Sequence, residues 1–475
     1  MHQQLRRSSV RRPGLWTLGL LPFLLAGPAA AVSPSFTTTD LTSPIPNSGA
    51  LFGSAVRISE DGKTALVGAP GGAPCPGTAE RTCGAVYVYG RSQAGWSLEA
   101  TLTPEDGGYP GFGGALALSP DATVALVGGA SASCPESATI PCGLLYVFSR
   151  GGAGWTQEKR IVDALVSGQY QQGISLALST AGATALVAGP PQSCAYGAPS
   201  CRTVHVFTRD GGAWTLCNGF LPGNQSSGTL TLAMSRDGTT ALVGMPDCSA
   251  SGGNCGSQLF IYANPAANQL PTAHVDASSP SHGLGFSIGL SGDGDVAVAG
   301  DPSHPCGDQP SVCSAGFIFR RTGSTWAEER RLPATDSSSP LSFGARVALS
   351  LDGGTAVFEA ENRQCSECAD LFLSKHRDGA WSGPVPLASS LPGAILPISI
   401  QPLAISGDGT TVLLGAPVTD CAAGQDCGTV HIFEGVSADA LEVPALGGVG
   451  LALLALLLAA SGSLLLLRRR LRPAR

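Results

Sequence analysis

A Ser-x-Asp-Gly motif returns seven times along this chain of 475 residues, at intervals of 56 to 60 residues. The serines are Ser59, Ser119, Ser179, Ser235, Ser291, Ser350 and Ser406. A large aliphatic residue or Met precedes each serine, and only Ala122 and Ala181 depart from the Gly and the Asp of the motif. Repeated units of this length must stack on one another to bury a core, so the repeat decides the fold class before length does.

Each unit has four short runs that are typical of β-strands. In the first unit they are the run that ends at Ser59, Thr64–Val67, Gly84–Tyr89 and Trp96–Leu102, and residues that favour turns separate them. Four such strands form an antiparallel meander, and seven meanders arranged radially leave few exposed strand edges. The sequence therefore predicts an all-β fold, a seven-bladed β-propeller of four-stranded antiparallel blades over residues 32–436.

The last unit lacks a fourth strand, because it ends after its third apolar run. The segment 34–46 near the N-terminus has a matching pattern: Phe36 and Leu41 resemble Trp96 and Leu102 in order and approximate spacing. We therefore expect this segment to add to the outer edge of blade seven, to bury Phe36 and to close the ring without a covalent bond.

Both ends of the chain have the features of export and membrane insertion. Residues 1–31 resemble a secretory signal peptide: four arginines, the apolar run Leu15–Ala26 and three small residues. A retained N-terminal anchor is the alternative. Residues 444–475 include Val449–Leu467, 19 residues without charge, which is about the length that spans a bilayer as a helix. Five arginines follow and favour a cytoplasmic C-terminus. We expect an exported protein on the cell surface or periplasmic side, with a single transmembrane helix after a linker at 437–443.

Charge is distributed unevenly along the chain. Nine of the 27 Lys and Arg residues lie in the two ends, which contain no acidic residue. The predicted ectodomain therefore has 18 basic and 34 acidic residues and a formal charge of −16. Nucleic acid and anionic lipid bind basic surfaces, so both are disfavoured as partners of this domain.

Fifteen cysteines in an exported chain indicate an oxidising compartment. Fourteen of them occur as one pair per unit, in the loop between the second and third predicted strands. Because the two ends of such a loop lie close together, each pair is predicted to form a disulfide. The pairs are Cys75/Cys83, Cys134/Cys142, Cys194/Cys201, Cys248/Cys255, Cys306/Cys313, Cys365/Cys368 and Cys421/Cys427. Cys217 is left over beside Trp214, and we expect a buried free thiol there, with an intermolecular bridge as the alternative.

Two short motifs recur beside the Ser-x-Asp-Gly turns. Phe-Gly occurs at 52–53, 112–113 and 343–344, and Gly-Ala-Pro occurs at 68–70 and 415–417. Together they resemble the FG-GAP repeat, which builds the seven-bladed propeller of integrin α chains and of many bacterial surface proteins. Calcium-binding members of that family have a D-x-D-x-D-G-type loop between the first two strands. The turns here keep one Asp each, too few ligands for calcium, so we expect no metal and no cofactor.

The C-terminal segment resembles the IPTL variant of the PEP-CTERM sorting signal. Val443, Pro444, Ala445 and Leu446 occupy the motif, and the apolar run and the arginines follow it. The resemblance implies that an exosortase-type transpeptidase cuts near the motif and passes the protein to the cell surface. Ala445 stands in place of Thr, and the usual Trp before the glycine is absent, so an ordinary single-pass anchor is the alternative.

A search for chemistry finds no G-x-S-x-G, no H-E-x-x-H and no phosphate-binding glycine loop, and we predict no catalytic residue. The clearest departure from the repeat lies in unit six, where Glu359 replaces the Gly of the Gly-Ala-Pro motif and Glu361 follows. In unit five, Asp301 follows Gly300, which keeps the glycine of this position. In integrin-like propellers this region lies on the ligand-binding face. Such carboxylates could bind a cation or act as acid and base, or they are solvated charges of a decayed repeat.

Two function classes follow from these patterns. The first is a non-catalytic binding or adhesion module at the cell surface, with a protein or glycan as ligand. The second is a secreted propeller enzyme that acts on polysaccharide. An enzyme would concentrate unique polar residues in the channel and loops, and only unit six departs in this way. The sequence therefore favours a binding module over an enzyme.

Overall fold

The structure is a computed structural model of the chain. It describes residues 36–74, 82–105, 111–130, 143–162, 175–192, 201–220, 230–246, 258–267, 270–275, 283–302, 305–306, 309–312, 314–333, 341–362, 365, 367–394 and 402–436. The predicted signal peptide, linker and sorting segment (1–31, 437–443 and 444–475) lie outside these residues. No helix within the described ranges has the length and apolarity needed to cross a membrane.

Short strands make up most of the described chain. They are β1 (Thr37–Thr42), β2 (Ala55–Ile58), β3 (Thr64–Pro74), β4 (Thr82–Ser92), β5 (Gly95–Leu102), β6 (Ala115–Leu118), β7 (Val124–Ala130), β8 (Gly143–Gly151), β9 (Gly154–Val162), β10 (Leu176–Leu178), β11 (Thr184–Gln192), β12 (Cys201–Asp210), β13 (Ala213–Phe220), β14 (Thr231–Met234), β15 (Thr240–Met245), β16 (Gln258–Ala263), β17 (Ala273–Val275), β18 (Ser287–Leu290), β19 (Val296–Asp301), β20 (Pro305–Cys306), β21 (Gln309–Val312), β22 (Ala315–Thr322), β23 (Thr325–Pro333), β24 (Leu341–Leu349), β25 (Thr355–Glu361), β26 (Ala369–Arg377), β27 (Ala380–Trp381), β28 (Val385–Leu391), β29 (Leu403–Ile405), β30 (Thr411–Ala416) and β31 (Thr429–Glu434).

Seven antiparallel sheets follow one another along the chain. Blades one to four are β2-β3-β4-β5, β6-β7-β8-β9, β10-β11-β12-β13 and β14-β15-β16-β17, and blade five is β18-β19-β22-β23. Blade six is β24-β25-β26 with β27 and β28 both paired to β26, and blade seven is β29-β30-β31-β1. The only helix among the described residues is a single 3₁₀ turn at Thr180–Gly182. The fold is an all-β, seven-bladed β-propeller, as the repeat predicts.

The repeated serine closes the inner hairpin of each blade. Ser59 is 1% exposed, and its hydroxyl accepts a hydrogen bond from the Thr64 backbone N–H (2.9 Å) and donates one to the Asp61 carboxylate (2.6 Å). The corresponding N–H to serine bond is present in all seven blades, at 2.9 to 3.0 Å. Gly62 takes φ = 68°, which glycine adopts without strain, whereas Ala122 is held at φ = 54° in the same position. The motif is thus a turn that satisfies its own polar groups.

The Phe-Gly and Gly-Ala-Pro motifs meet where one blade packs on the next. A Cβ atom added to Gly68 would collide with the carbonyl oxygen of Gly113 in blade two, and one added to Gly415 would collide with that of Gly53 in blade one. Phe112 beside this contact is fully buried. The glycines are therefore needed because two backbones approach closely at each of these boundaries.

The N-terminal segment supplies the outer strand of blade seven. Strand β1 pairs antiparallel with β31, from Thr37 opposite Glu434 to Thr42 opposite Thr429. Phe36 lies just before the first paired residue and is only partly buried, in an edge-to-face contact with Phe433 at 5.5 Å. The side chain that β1 buries is Leu41, which is 8% exposed. The expectation that Phe36 is buried is met only in part: Phe36 lies beyond the end of the paired strand and is partly buried, as Trp96 is in blade one.

Two disulfides join the described cysteines, Cys365 to Cys368 in blade six and Cys421 to Cys427 in blade seven. Both are pairs that the repeat predicts. Cys83 is also disulfide-bonded. The side chains of the other paired cysteines lie outside the described residues: Cys75, Cys134, Cys142, Cys194, Cys201, Cys248, Cys255, Cys306 and Cys313.

Cys217 is a free thiol, but it is exposed and not buried as expected. It is the extra residue of a β-bulge, since Val206 pairs with Asn218 and Phe207 with Leu216. The same bulge in blades one, two and five contains a glutamate, at Glu99, Glu158 and Glu329. A bulge reverses the alternation of the strand, so proximity to Trp214 in sequence does not bury Cys217.

Closure of the ring should depend on Leu41. Leu41→Ala removes a buried side chain from the strand that completes blade seven, and we expect a loss of about 2 kcal/mol or more in the free energy of unfolding. Thr38→Ala, on the exposed side of the same strand, should change it by less than about 0.5 kcal/mol. Chemical denaturation of both variants measures the difference. Equal stability of the two variants would show that β1 does not contribute to closure.

Candidate functional site

A central channel runs between the seven inner strands. The strands β2, β6, β10, β14, β18, β24 and β29 line a cavity of about 230 Å³. The residue two positions before the repeated serine is small in six blades, and in blade one it is Arg57. The small residues are Ala117, Ala177, Ala233, Gly289, Ala348 and Ala404. Small side chains fit there because seven strands converge on one axis, so Arg57 is the exception that places a charge in the channel.

One end of the channel, which we name the turn end, is formed by the Ser-x-Asp-Gly turns. Backbone hydrogen bonds join neighbouring turns, for example from the Glu60 N–H to the Pro120 carbonyl and from the Gly407 N–H to the Glu60 carbonyl. Similar bonds join blades three to four, four to five, five to six and six to seven. Glu60 of blade one also forms an ion pair with Arg236 of blade four, across the opening. These contacts link the turns around a pocket of about 540 Å³ at the turn end.

The aspartates of the turn end are structural carboxylates. Burial acts to raise the pKa of Asp61, but hydrogen bonds from the Ser59 hydroxyl and the Lys63 backbone N–H outweigh it, and the pKa is lowered. The pKa values of Asp121, Asp237 and Asp408 are lowered in the same way. Their stabilising effect is complete above the unfolded pKa of about 3.9 and is lost as pH falls through the lower folded value. In the part of the chain that the structure describes, no three or more His, Cys, Asp or Glu side chains form a group that could hold a metal ion.

The opposite end of the propeller, the loop end, contains a buried ion pair in blade six. Glu359 is 0% exposed and pairs with Arg346, which faces it on the adjacent strand. The equivalent residues of blade one are Ala55 and Gly68, which also face one another. Burial raises the pKa of Glu359, against the opposing effect of the Arg346 charge, and Glu361 raises it further. Blade six therefore has a charge pair at the two facing positions where blade one has two small residues.

The structure changes the interpretation of the three acidic residues. Asp301 and Glu359 are fully buried, and only Glu361 is partly exposed. The hypothesis of solvated charges is wrong for the first two. The hypothesis of paired carboxylates omits Arg346, to which Glu359 is bound. Arg346 could have been found in the sequence, because the other blades have Ala, Ser, Thr or Pro four residues before the serine.

Backbone hydrogen bonds join the described loops at the loop end. The Gly49 and Leu51 N–H groups donate to the carbonyls of Gln425 and Asp426, inside the loop that the Cys421–Cys427 disulfide closes. On its other side, the Val418 N–H donates to the Gly393 carbonyl, which connects blade seven to blade six. This part of the loop end is therefore one cross-linked surface across blades six, seven and one.

Several solved structures resemble the chain at low sequence identity. The structure of U3-55K matches at 10% identity and a TM-score of 0.49, covering 84% of this chain and 98% of that one. Sqt1 from Chaetomium thermophilum matches at 14% identity and a TM-score of 0.43, covering 86% and 99%. The periplasmic gluconolactonase PpgL from Pseudomonas aeruginosa matches at 15% and 0.44, covering 71% and 85%. No protein-family model matches the chain, and no curated protein matches it either. These similarities assign neither a family nor an activity, so any function must be argued from the site.

The Arg346–Glu359 pair predicts non-additive mutations. Glu359→Ala removes the carboxylate that pairs with the buried Arg346 charge, and we expect a loss of about 3–5 kcal/mol in the free energy of unfolding. The double variant Arg346→Ala/Glu359→Ala removes both charges and should be more stable than Glu359→Ala alone. Denaturant titration of the two single variants and the double variant measures the coupling. Strict additivity would show that the two side chains are independent.

Proposed function

We propose that this protein is an exported, cell-surface β-propeller that binds a protein or glycan through its loop end, without catalysis. The observation that carries the proposal is the cross-linked surface of blades six, seven and one, where a disulfide-closed loop is hydrogen-bonded on both sides. A surface whose loops are already fixed loses little conformational freedom when it binds a partner. Such preorganisation suits a binding face.

Blade six favours binding over the alternative of a polysaccharide-degrading enzyme. The enzyme alternative depends on a carboxylate that could give or take a proton within reach of a substrate. Of the three candidates, Asp301 and Glu359 are fully buried and Glu359 is paired with Arg346, so only Glu361 is partly exposed. The role of Glu359 in the structure is that of a paired charge inside a blade.

We further propose that the protein is exported, that it is related to FG-GAP proteins and that it is displayed on the cell surface. The contacts between the Phe-Gly and Gly-Ala-Pro motifs support the relationship, because they give each motif a structural reason to recur. The disulfides in blades six and seven suit an oxidising compartment. The sorting motif at 443–446 and the apolar run after it support attachment through the C-terminus, with an exosortase-type enzyme as the processing partner.

Arrays of glycans and surface proteins, probed with the purified full chain, test the binding proposal. We expect a retained ligand whose affinity falls at least tenfold in the variant Glu367→Ala/Gln425→Ala, since both residues are exposed at the loop end. The matched control is Lys63→Ala at the turn end, which should bind as the wild type does. A ligand lost only in Lys63→Ala, or a glycan that is cleaved during incubation, would contradict the proposal.

A further inference from the structure

Arg57 is placed in the channel without a counter-charge. Its one hydrogen bond among the described residues runs from the guanidinium to the carbonyl oxygen of Val56, the preceding residue (2.8 Å). It forms no ion pair with any described carboxylate. A guanidinium carries several N–H donors in a planar fork, so most of them remain directed into the channel.

The environment of Arg57 is an internal cavity and not bulk water. The side chain is partly accessible, yet burial lowers its pKa to about 10. A charged group in a narrow channel can contact water and still have a lowered pKa, because protein and not bulk solvent surrounds that water. The guanidinium remains protonated at neutral pH, so the channel carries a permanent positive charge.

The other six blades show that the fold does not need this charge. Ala or Gly occupies the position of Arg57 in each of them. The first strand of every blade nevertheless pairs antiparallel with the second strand, as it does in blade one. An uncompensated buried charge opposes folding, whereas alanine would cost nothing there. An arginine at one position of seven therefore points to a role other than packing.

The geometry points to a binding site for a small organic carboxylate in the central channel, with the Arg57 guanidinium as the group that holds the carboxylate. Guanidinium and carboxylate match in a bidentate arrangement. The residues along the cavity are mostly aliphatic, among them Leu118, Met234 and Leu349, but these three side chains are buried in the cores between blades. The surface that faces the cavity is mostly polar, so it suits a small carboxylate. The cavity of about 230 Å³ is smaller than the ~300–1,000 Å³ of typical ligand pockets, which limits the ligand to a few carbon atoms.

The site is distinct from the proposed binding surface at the loop end. At the turn end, the turns surround a pocket of about 540 Å³ whose lining has more carboxylates than arginines, and this negative charge would repel an anion. A macromolecular ligand on that surface and a small carboxylate in the channel would be bound by different residues.

Thermal unfolding of the full chain with butyrate, benzoate or inorganic phosphate tests the site, with sodium chloride at matched ionic strength as the reference. We expect butyrate or benzoate to raise Tm by several degrees in a saturable manner. Arg57→Ala should lose this response while its own Tm is equal to or above that of the wild type. Arg57→Met, which keeps the length of the side chain without its charge, provides the same test if the alanine variant folds poorly. Arg209→Ala, on the outer part of blade three, is the matched control and should respond as the wild type does.

Three outcomes would overturn the inference. The first is no response to either carboxylate beyond that to sodium chloride. The second is an equal response in wild type and Arg57→Ala. The third is a response to phosphate alone, which would assign the site to inorganic oxyanions and not to organic carboxylates.

Discussion

The close approach of backbones between neighbouring blades is the constraint on which the propeller depends. Gly68 and Gly415 lie so near the Phe-Gly segments of the following blades that any side chain would collide with a carbonyl oxygen. Near the axis, the residues two positions before the repeated serine are small in six of the seven blades. The motifs therefore mark positions where converging sheets leave little space for a side chain.

Charged residues replace the small ones at two places in the propeller, and these exceptions need an explanation other than packing. At blade six, Glu359 replaces the glycine, and Arg346 replaces the facing small residue. The two changes compensate each other in charge within one blade. At blade one, Arg57 has no such compensation among the described side chains. The first exception is a structural pair, and the second is a charge that is available to a ligand.

Much of the fold could be predicted from the sequence because the repeat is regular. The Ser-x-Asp-Gly turns mark each inner hairpin, and the count of seven fixes the number of blades. The pairing of the N-terminal strand with β31 also follows from a missing fourth strand. The candidate site was harder to predict from the sequence. The role of Glu359 depends on Arg346, which faces it on the adjacent strand. The exposure of Cys217 depends on a β-bulge, and the residue types around it do not predict that bulge.

The central claim is that the chain closes into a ring through strand β1, and hydrogen exchange of the full chain measures this most directly. The account predicts that peptides covering Thr37–Thr42 and Thr429–Glu434 contain slowly exchanging amides and lose their protection together. Exchange of Thr37–Thr42 at the rate of an unfolded chain, with Thr429–Glu434 still protected, would contradict closure by this strand.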